Sequence, residues 1–301
     1  MKLTPLNLHA CLTNPAPKLD FVLPGLPARC VGALVAPGAS GKTFFILQIA
    51  AALALRIPVA GGALPAPAAS GKTVLLASEE SADMLIVRLH ALVSWLLSTN
   101  AYLPLEEQFE RSRVIAQLCE YVSVYPLAGQ SVRVFEHGAP SKAMDEIAKA
   151  CQGARLLIVD PLRRFHDGDE NDSGDMTAVV QALEGVAHRA GCAVLATHHT
   201  NKAATLSGNG DMQQAIRGSS ALTDTIRWQA NLVGMTDAEA ERFGVASEKR
   251  RYFVRLELPK VNYGEPSPGV WMRRQPGGCL QRVELDARRA VRTTARGGRN
   301  A

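Results

Sequence analysis

The residues with the clearest chemical potential are a lysine and a threonine that directly follow a glycine-containing turn. The turn and the residues after it are Pro37-Gly38-Ala39-Ser40-Gly41-Lys42-Thr43-Phe44. Because glycine lacks a side chain, it can adopt unusual φ angles and lets backbone N–H groups approach a phosphate closely. Lys42 would then reach the β- and γ-phosphates of a nucleotide, and the Thr43 hydroxyl would bind Mg²⁺. We therefore predict that residues 37–44 form a phosphate-binding loop.

The elements that flank this turn favour the same interpretation. An apolar run of strand length, Val31–Val35, enters the turn, and a second apolar run, Phe44–Ala54, follows it as a predicted buried helix. The N-terminus of that helix adds the positive end of its dipole to the site. Ala36 stands where the strict pattern begins with glycine. We prefer a phosphate-binding loop to an ordinary glycine-rich turn because the motif and its context agree.

A near-copy of the motif, Ala66–Thr73, lies in a different context. Sequence rich in Pro and Gly precedes it and the strand-like run Val74–Ala77 follows it, so no helix N-terminus would face a phosphate. We predict that Lys72 is a surface residue of a loop entering a strand, and that this copy does not bind nucleotide.

Carboxylates follow the ends of two further predicted strands. Asp160 follows the apolar run 155–159, and Glu79 comes shortly after Val74–Ala77. Ligands of open α/β sheets bind at the carboxyl ends of the strands. Asp160 is therefore a candidate ligand of Mg²⁺, and Glu79 a candidate base that orients the attacking water. The alternatives are that Asp160 caps a following helix and that Glu80 is the base.

Two histidines and two arginines complete the candidate site. His198 and His199 follow the predicted buried strand 192–196. Zinc binding would need further ligands at suitable spacing, which the sequence lacks, so we assign one histidine as a sensor of the γ-phosphate. Arg217 and Arg227 are placed to act as arginine fingers on the nucleotide of a neighbouring subunit. Surface salt bridges are the alternative for both arginines.

The order of the predicted elements indicates the fold class and the domains. Strands and helices alternate through most of the chain, and the C-terminal third adds strands that we expect to be antiparallel. We predict an α/β protein with a RecA-like P-loop NTPase core, in which helices flank a mostly parallel sheet extended by antiparallel strands. Residues 1–28, rich in Pro and Leu, form an arm on a neighbouring subunit or on their own domain. Residues 29–284 form the ATPase domain, and residues 285–301 a disordered basic tail.

Composition limits the remaining function classes. The 301 residues carry a formal net charge of only +5, but five arginines lie in the tail: Arg288, Arg289, Arg292, Arg296 and Arg299. Contact of this tail with nucleic acid stays open. The six cysteines contain no C-x-x-C pair, which favours reduced thiols. The sequence has no secretory signal and no apolar run of about 18 residues. We expect a cytoplasmic protein without membrane insertion.

Several segments, spread from about residue 15 to 280, resemble the plasmid-encoded RepA-type hexameric replicative DNA helicases. The most specific is Asp160-Pro-Leu-Arg-Arg-Phe-His166. The others are Pro24–Lys42 (which contains Gly32–Gly38), Arg88–Leu92, His198–His199, Arg217–Ser220, Ile226–Trp228 and Lys260–Gly264. The resemblance implies a RecA-fold ring helicase that hydrolyses ATP to move along single-stranded DNA and unwinds duplex in plasmid replication.

The resemblance also implies roles and partners. It places Lys42 and Thr43 on phosphate and Mg²⁺, Asp160 on Mg²⁺ and Glu79 as the catalytic base. It makes His199 the γ-phosphate sensor and Arg227 the finger from the next subunit, and it puts Arg88 among the nucleotide-binding residues. The implied partners are single-stranded DNA, further copies of the chain in a hexameric ring, and other replication proteins.

Two questions about DNA stay open. Residues 201–215, which include Lys202, are our candidate for contact with single-stranded DNA, because such DNA needs a positive track. The alternative function is a RecA-like DNA-dependent ATPase that does not unwind, such as a helicase loader, a recombination mediator or a regulatory switch.

Overall fold

The computed structural model describes residues 3–100, 110–200, 212–213, 220–265 and 267–286. The strands are β1 (Phe21–Leu23), β2 (Leu26–Pro27), β3 (Val31–Ala36), β4 (Lys72–Ala77), β5 (Val122–Pro126), β6 (Phe135–Glu136), β7 (Ala139–Pro140), β8 (Ala154–Asp160), β9 (Ala193–His199), β10 (Trp228–Gly234), β11 (Phe253–Val261), β12 (Val270–Arg274) and β13 (Leu280–Arg282). The α-helices are α1 (Leu8–Thr13), α2 (Lys42–Leu55), α3 (Ala82–Asn100), α4 (Arg111–Tyr121), α5 (Ala143–Ala150), α6 (Ser173–Ala190), α7 (Ser220–Thr225) and α8 (Asp237–Phe243). Short 3₁₀ helices span Leu162–Phe165 and Ser247–Tyr252.

A nine-stranded sheet organises the described part of the chain. Its strand order is β13-β12-β11-β10-β3-β9-β8-β4-β5. From β10 to β5 every neighbouring pair is parallel. From β10 to β13 every neighbouring pair is antiparallel. This arrangement confirms the predicted α/β class, the mostly parallel sheet and the antiparallel C-terminal extension.

Each face of the sheet carries its own hydrophobic core, because successive side chains of a strand point to opposite faces. One core packs under α2, α3 and α4, and we call this side of the sheet the front face. The other core packs under α5, α6 and α7, on the back face. Strand β3 contributes Leu34 to the front core and Val35 to the back core, which is why its sequence is apolar at every position.

Helix α2 is the central helix of the front face. Every residue from Phe44 to Ala54 is buried, so the helix has no polar face and no solvent-facing stripe. Truncating one of its large side chains, such as Leu53→Ala, should cost about 2–5 kcal/mol of stability. This packing fixes the helix N-terminus, and with it Lys42 and Thr43, relative to β3.

The N-terminal region divides into an exposed part and a packed part. Five leucines between residues 3 and 19 are 56–82% exposed, and α1 has no buried residue. The β1–β2 hairpin, in contrast, inserts Val22 and Leu26 into the front core. The indole Nε1 of Trp228 donates a hydrogen bond to the carbonyl of Pro24 (3.0 Å) and ties the hairpin to β10.

One stretch of α3, Ala82–Thr99, has the length and the mean hydropathy (1.3) of a membrane span. A single helix of this kind is a weak indication, because core helices of globular proteins share the composition. The stretch is interrupted by Asp83 and Arg88, and Leu85 and Leu92 lie in the front core.

Candidate active site

The register of the parallel strands brings the predicted residues to one edge of the sheet. Ala36 at the end of β3 pairs with His199 on β9. Asp160 at the end of β8 pairs with Ala77 on β4, two residues before Glu79. The Ser78 amide also donates to the Asp160 carbonyl (3.0 Å), which holds these two strand ends together. The phosphate loop, both carboxylates and the histidine pair therefore share one edge.

The loop between β3 and α2 has the backbone of a phosphate cradle. Gly41 caps α2 with φ +96°, a left-handed conformation that a side chain would strain. Ala39 also has a positive φ (+58°), whereas Gly38 does not, although open space surrounds it. The left-handed turns of the loop therefore lie at Ala39 and Gly41. Helix α2 begins at Lys42 and directs its free N–H groups into the loop.

The side chains of the loop leave donors ready for a ligand. The Lys42 ammonium Nζ and the Ser40 hydroxyl are buried and have no hydrogen-bond partner among the described residues. Burial lowers the pKa of Lys42, while the charges of Asp160 and Glu79 oppose that shift. A buried ammonium without a partner is costly, and a phosphate group would satisfy it. Thr43, partly buried, follows at the first turn of α2. Ser40, Lys42 and Thr43 therefore fit the phosphates of a nucleoside triphosphate.

Asp160 is buried beside the loop, with 7% of its surface exposed. It accepts a short hydrogen bond from the Thr197 hydroxyl on β9. Burial raises the pKa of Asp160, whereas the Thr197 hydrogen bond and the Lys42 charge lower it. A carboxylate fixed in this way near Lys42 suits a Mg²⁺ ligand. Thr197 was missed by the sequence analysis, although its place at a strand end next to the histidines could have indicated it.

The two glutamates after β4 differ in their partners. Glu80 forms a bidentate ion pair with Arg88, and the Arg88 guanidinium lies over the Phe44 ring, 4.9 Å from its centre. The Glu79 side chain is 48% exposed, and among the described residues its ion-pair partner is Arg164, at the longer distance of 3.7 Å. Glu79 is therefore the carboxylate that is available to a water molecule, while Arg88 and Phe44 form a wall beside the first turn of α2.

The two histidines lie on opposite faces of β9. His199 alternates with Thr197, so it lies on the front face with Asp160 and α2. His198 is buried on the back face, with its Nε2 3.4 Å from Glu170. Of the two, only His199 lies on the face that carries the phosphate loop.

Three carboxylates of the acidic loop 167–172 and the start of α6 accept hydrogen bonds from backbone N–H groups. Asp167 accepts from the backbone N–H of His137 (3.0 Å), and Asp172 caps α6 by accepting from the N–H of Asp175 (2.8 Å). Asp175 in turn accepts from the N–H of Asp169 (2.8 Å). These carboxylates order the loop by local hydrogen bonds.

Arg227 lies at the N-terminal end of β3, whereas the phosphate loop follows the C-terminal end of the same strand. It is exposed, immediately precedes β10, and its backbone N–H donates to the carbonyl of Val31 at the start of β3 (3.1 Å). The Asn262 amide donates to the Arg227 carbonyl (3.1 Å), so the backbone at Arg227 is held on both sides. The structure therefore does not bring Arg227 together with the other site residues of its own chain.

Several predicted residues need correction or lie elsewhere. Lys72 is not a loop residue on the surface: it is the first residue of β4 and is partly buried, because the strand begins earlier than its apolar run. No helix follows it, as predicted. Arg217, Lys202 and residues 287–301, with all five arginines of the basic tail, lie outside the described residues.

Arg274, the last residue of β12, is a further residue of the site and was not predicted from the sequence. Its guanidinium Nη2 donates to the carbonyl of Ala39 in the phosphate loop (2.7 Å). The next residues of this hairpin reach α2, where Gly278 lies so close to Phe44 that a side chain at position 278 would overlap the ring. The antiparallel extension therefore braces the phosphate loop, and no local pattern in the sequence marks this long-range contact.

Fold and site together define a P-loop NTPase with a RecA-like sheet. A family model described as an AAA domain matches residues 2–205, about two thirds of the chain. The chain belongs to this AAA domain family.

Two solved structures show the same fold. The first, an ATPase domain, is 14% identical, with 85% of each chain covered and a TM-score of 0.58. The second, a DnaB-like replicative helicase described with its interactions with primase, is 15% identical with a TM-score of 0.56. That comparison covers 85% of this chain and 58% of the helicase.

Proposed function

We propose that the protein is an ATP-dependent DNA helicase that forms a ring, moves on single-stranded DNA and unwinds duplex in plasmid replication. The observation that carries the proposal is the buried Lys42 ammonium. It has no partner among the described residues, and Asp160 and Glu79 are its charged neighbours. The fold shared with a solved ATPase domain and with a DnaB-like replicative helicase supports the choice of a DNA motor among P-loop NTPases.

In this proposal the described residues divide the work of phosphoryl transfer. Lys42 and the N–H groups of residues 38–44 hold the phosphates of ATP, and Thr43 and Asp160 hold the Mg²⁺, which neutralises charge on the phosphates. Glu79 accepts a proton from the attacking water. His199 senses the γ-phosphate from β9. Arg88 and Phe44 flank the nucleotide beyond its phosphates.

The site is completed by a second copy of the chain. Arg227 is separated from its own phosphate loop by the length of β3, yet it is exposed and its backbone is fixed. It acts as an arginine finger on the nucleotide of the adjacent subunit, which stabilises charge in the transition state. A head-to-tail contact of this kind closes into a ring, and we propose a hexamer.

The N-terminal arm strengthens the same contact. Its five exposed leucines leave an apolar surface without cover on the isolated chain, which is typical of an interaction site. Residues 3–19 pack on the neighbouring subunit, and the β1–β2 hairpin anchors the arm to its own domain.

The test of the proposal is steady-state ATP hydrolysis with and without single-stranded DNA. We expect DNA to stimulate hydrolysis and Lys42→Ala to abolish it. The matched control is Lys72→Ala in the second copy of the motif, which should keep its activity because Lys72 begins a strand and faces no helix N-terminus. Equal loss of activity in both folded variants would contradict the assigned site. Slow hydrolysis without strand displacement would favour a switch or loader.

A further inference from the structure

Glu170 differs from other carboxylates of the acidic loop in the group that it contacts. Asp167 and Asp172 accept hydrogen bonds from backbone N–H groups. The Glu170 side chain is only 11% exposed, and its Oε1 lies 3.4 Å from the Nε2 of His198 on β9. Burying a carboxylate is unfavourable unless a charged or hydrogen-bonding group compensates it. The neighbour of Glu170 therefore indicates what this side chain does.

The His198 ring lies between two oxygens that accept hydrogen bonds. Its Nδ1 lies 3.1 Å from the carbonyl oxygen of His199. Among the described residues its Nε2 has no hydrogen-bond partner, and the Glu170 carboxylate is the charged group that it faces. An ionised carboxylate and a carbonyl only accept hydrogen bonds, so both oxygens attract a ring N–H. One buried ring thus connects the acidic loop to the backbone of His199.

A second buried imidazole, that of His166, lies near this pair but adds no charge to it. Burial and the charge of Arg163 lower the pKa of His166 to about 4, although the charge of Glu170 opposes the shift. His166 is therefore neutral near pH 7. Of the two imidazoles, His198 is the one that the Glu170 carboxylate contacts.

The pair lies directly behind the edge of the sheet that carries the nucleotide site. His199 pairs with Ala36, the last residue of β3, and His198 pairs with Val35. Consecutive side chains of a strand point to opposite faces, so a ring that is fixed on the back face sets the direction of the next side chain on the front face. Glu170 therefore influences His199 without contact with the nucleotide.

We infer that Glu170 is a positioning residue for the γ-phosphate sensor. It holds the His198 ring, which fixes the backbone of His199 and directs the His199 side chain towards the nucleotide. This inference rests on the proposed function, because it needs His199 to sense the γ-phosphate. Loss of Glu170 leaves Lys42 and the phosphate loop intact, so ADP still binds. The distinction between ATP and ADP is lost, and turnover falls with it.

The variants separate the contact from the stability of the loop. Glu170→Ala removes the carboxylate, whereas Glu170→Gln keeps an oxygen that accepts a hydrogen bond but removes the charge. His199→Ala removes the sensor itself and gives the size of the full defect. The matched control is Asp172→Ala, which lies in the same loop and removes the N-terminal cap of α6. It measures the effect of loosening the acidic loop.

The measurement is the affinity for ADP and for a non-hydrolysable ATP analogue, each with Mg²⁺, together with kcat, KM and thermal unfolding. One hydrogen bond to a charged group contributes about tenfold or more to affinity. We therefore expect the preference for the ATP analogue over ADP to fall about tenfold in Glu170→Ala and in His199→Ala, with ADP affinity unchanged. The value of kcat should fall in both variants, and Glu170→Gln should recover part of it. Asp172→Ala should lower thermal stability but keep the preference.

Two results would overturn the inference. One is an unchanged preference in folded Glu170→Ala while His199→Ala loses it, and the other is an equal loss of the preference in Asp172→Ala. Should Glu170→Ala not fold, Glu170→Gln decides, since a partial loss of the preference supports the inference and no loss overturns it. An unchanged preference in His199→Ala is a different result, because it would overturn the sensor assigned in the proposed function, and the inference with it.

Discussion

The placement of Arg227 leads to a prediction about mixtures of inactive subunits. Arg227 stands beside Val31, at the start of β3, whereas the phosphate loop begins after Ala36. Six strand residues span about 20 Å, which is more than twice the length of an extended arginine side chain. The Arg227 side chain therefore cannot reach its own phosphate loop, so in the proposed function it must act on a neighbouring subunit. Because arginine fingers contribute about 10³–10⁵ to the rate, Arg227→Ala alone should be nearly inactive.

Lys42→Ala has the complementary defect, since it lacks a working phosphate loop but keeps a sound finger. In rings assembled at random from equal amounts of the two variants, a sound site meets a sound finger at about one quarter of the interfaces. The mixture should therefore regain about a quarter of the wild-type ATPase rate, although neither protein is active alone. The assay is steady-state hydrolysis with single-stranded DNA after subunit exchange.

The control for a general effect of losing an arginine is Arg189→Ala, a surface residue of α6 paired with Asp145 (2.6 Å), which should stay active. Subunits carrying fluorescent labels establish that exchange has taken place. Complete exchange without any recovery would refute the reasoning, because it would mean that Arg227 works inside its own subunit or only in folding.

Three further predictions concern single side chains. Glu79→Gln should bind ATP normally but lose turnover, whereas Glu80→Gln should keep substantial turnover because Glu80 is paired with Arg88. Measurements of nucleotide affinity and kcat check both variants. A larger loss of kcat in Glu80→Gln than in Glu79→Gln would assign the base to Glu80. Asp160→Asn should weaken binding of ATP with Mg²⁺ while binding without Mg²⁺ persists, as titrations in Mg²⁺ and in EDTA would show. Burial lowers the pKa of His166 from 6.5 to about 4, so the unfolded chain takes up a proton between these values that the folded chain does not, and the free energy of unfolding should fall as pH drops from 6.5 to 4. Denaturant unfolding at several pH values should show that the free energy of unfolding falls less with decreasing pH in His166→Gln than in the unsubstituted protein. An equal fall in both proteins would contradict the lowered pKa of His166.

Local sequence patterns were sufficient to predict the phosphate loop and the helix that follows it. The Gly-Lys-Thr turn, the apolar run of β3 and the uniformly apolar α2 lie together in sequence, so their order predicted the loop and its helix. The same reasoning separated the two copies of the motif, since a strand and not a helix follows Lys72. The period of two along a strand also places His198 and His199 on opposite faces.

The remaining contacts depend on how distant strands pair, and no local pattern encodes that. The brace from Arg274 to Ala39 joins residues 235 positions apart. The bond from Thr197 to Asp160 depends on the register of β8 against β9. The prediction that Lys72 is an exposed loop residue is wrong for the same reason. Pairing with β8 extends β4 beyond its apolar run and includes Lys72 in the strand.

The most direct test of the account is displacement of a strand from a forked DNA duplex by the full chain with ATP and Mg²⁺. We expect displacement by the unsubstituted protein and by Lys72→Ala, and none by Lys42→Ala or with a non-hydrolysable ATP analogue. Displacement that persists in Lys42→Ala would contradict the assigned site. Rapid DNA-stimulated hydrolysis without any displacement would contradict the helicase and leave a DNA-dependent ATPase.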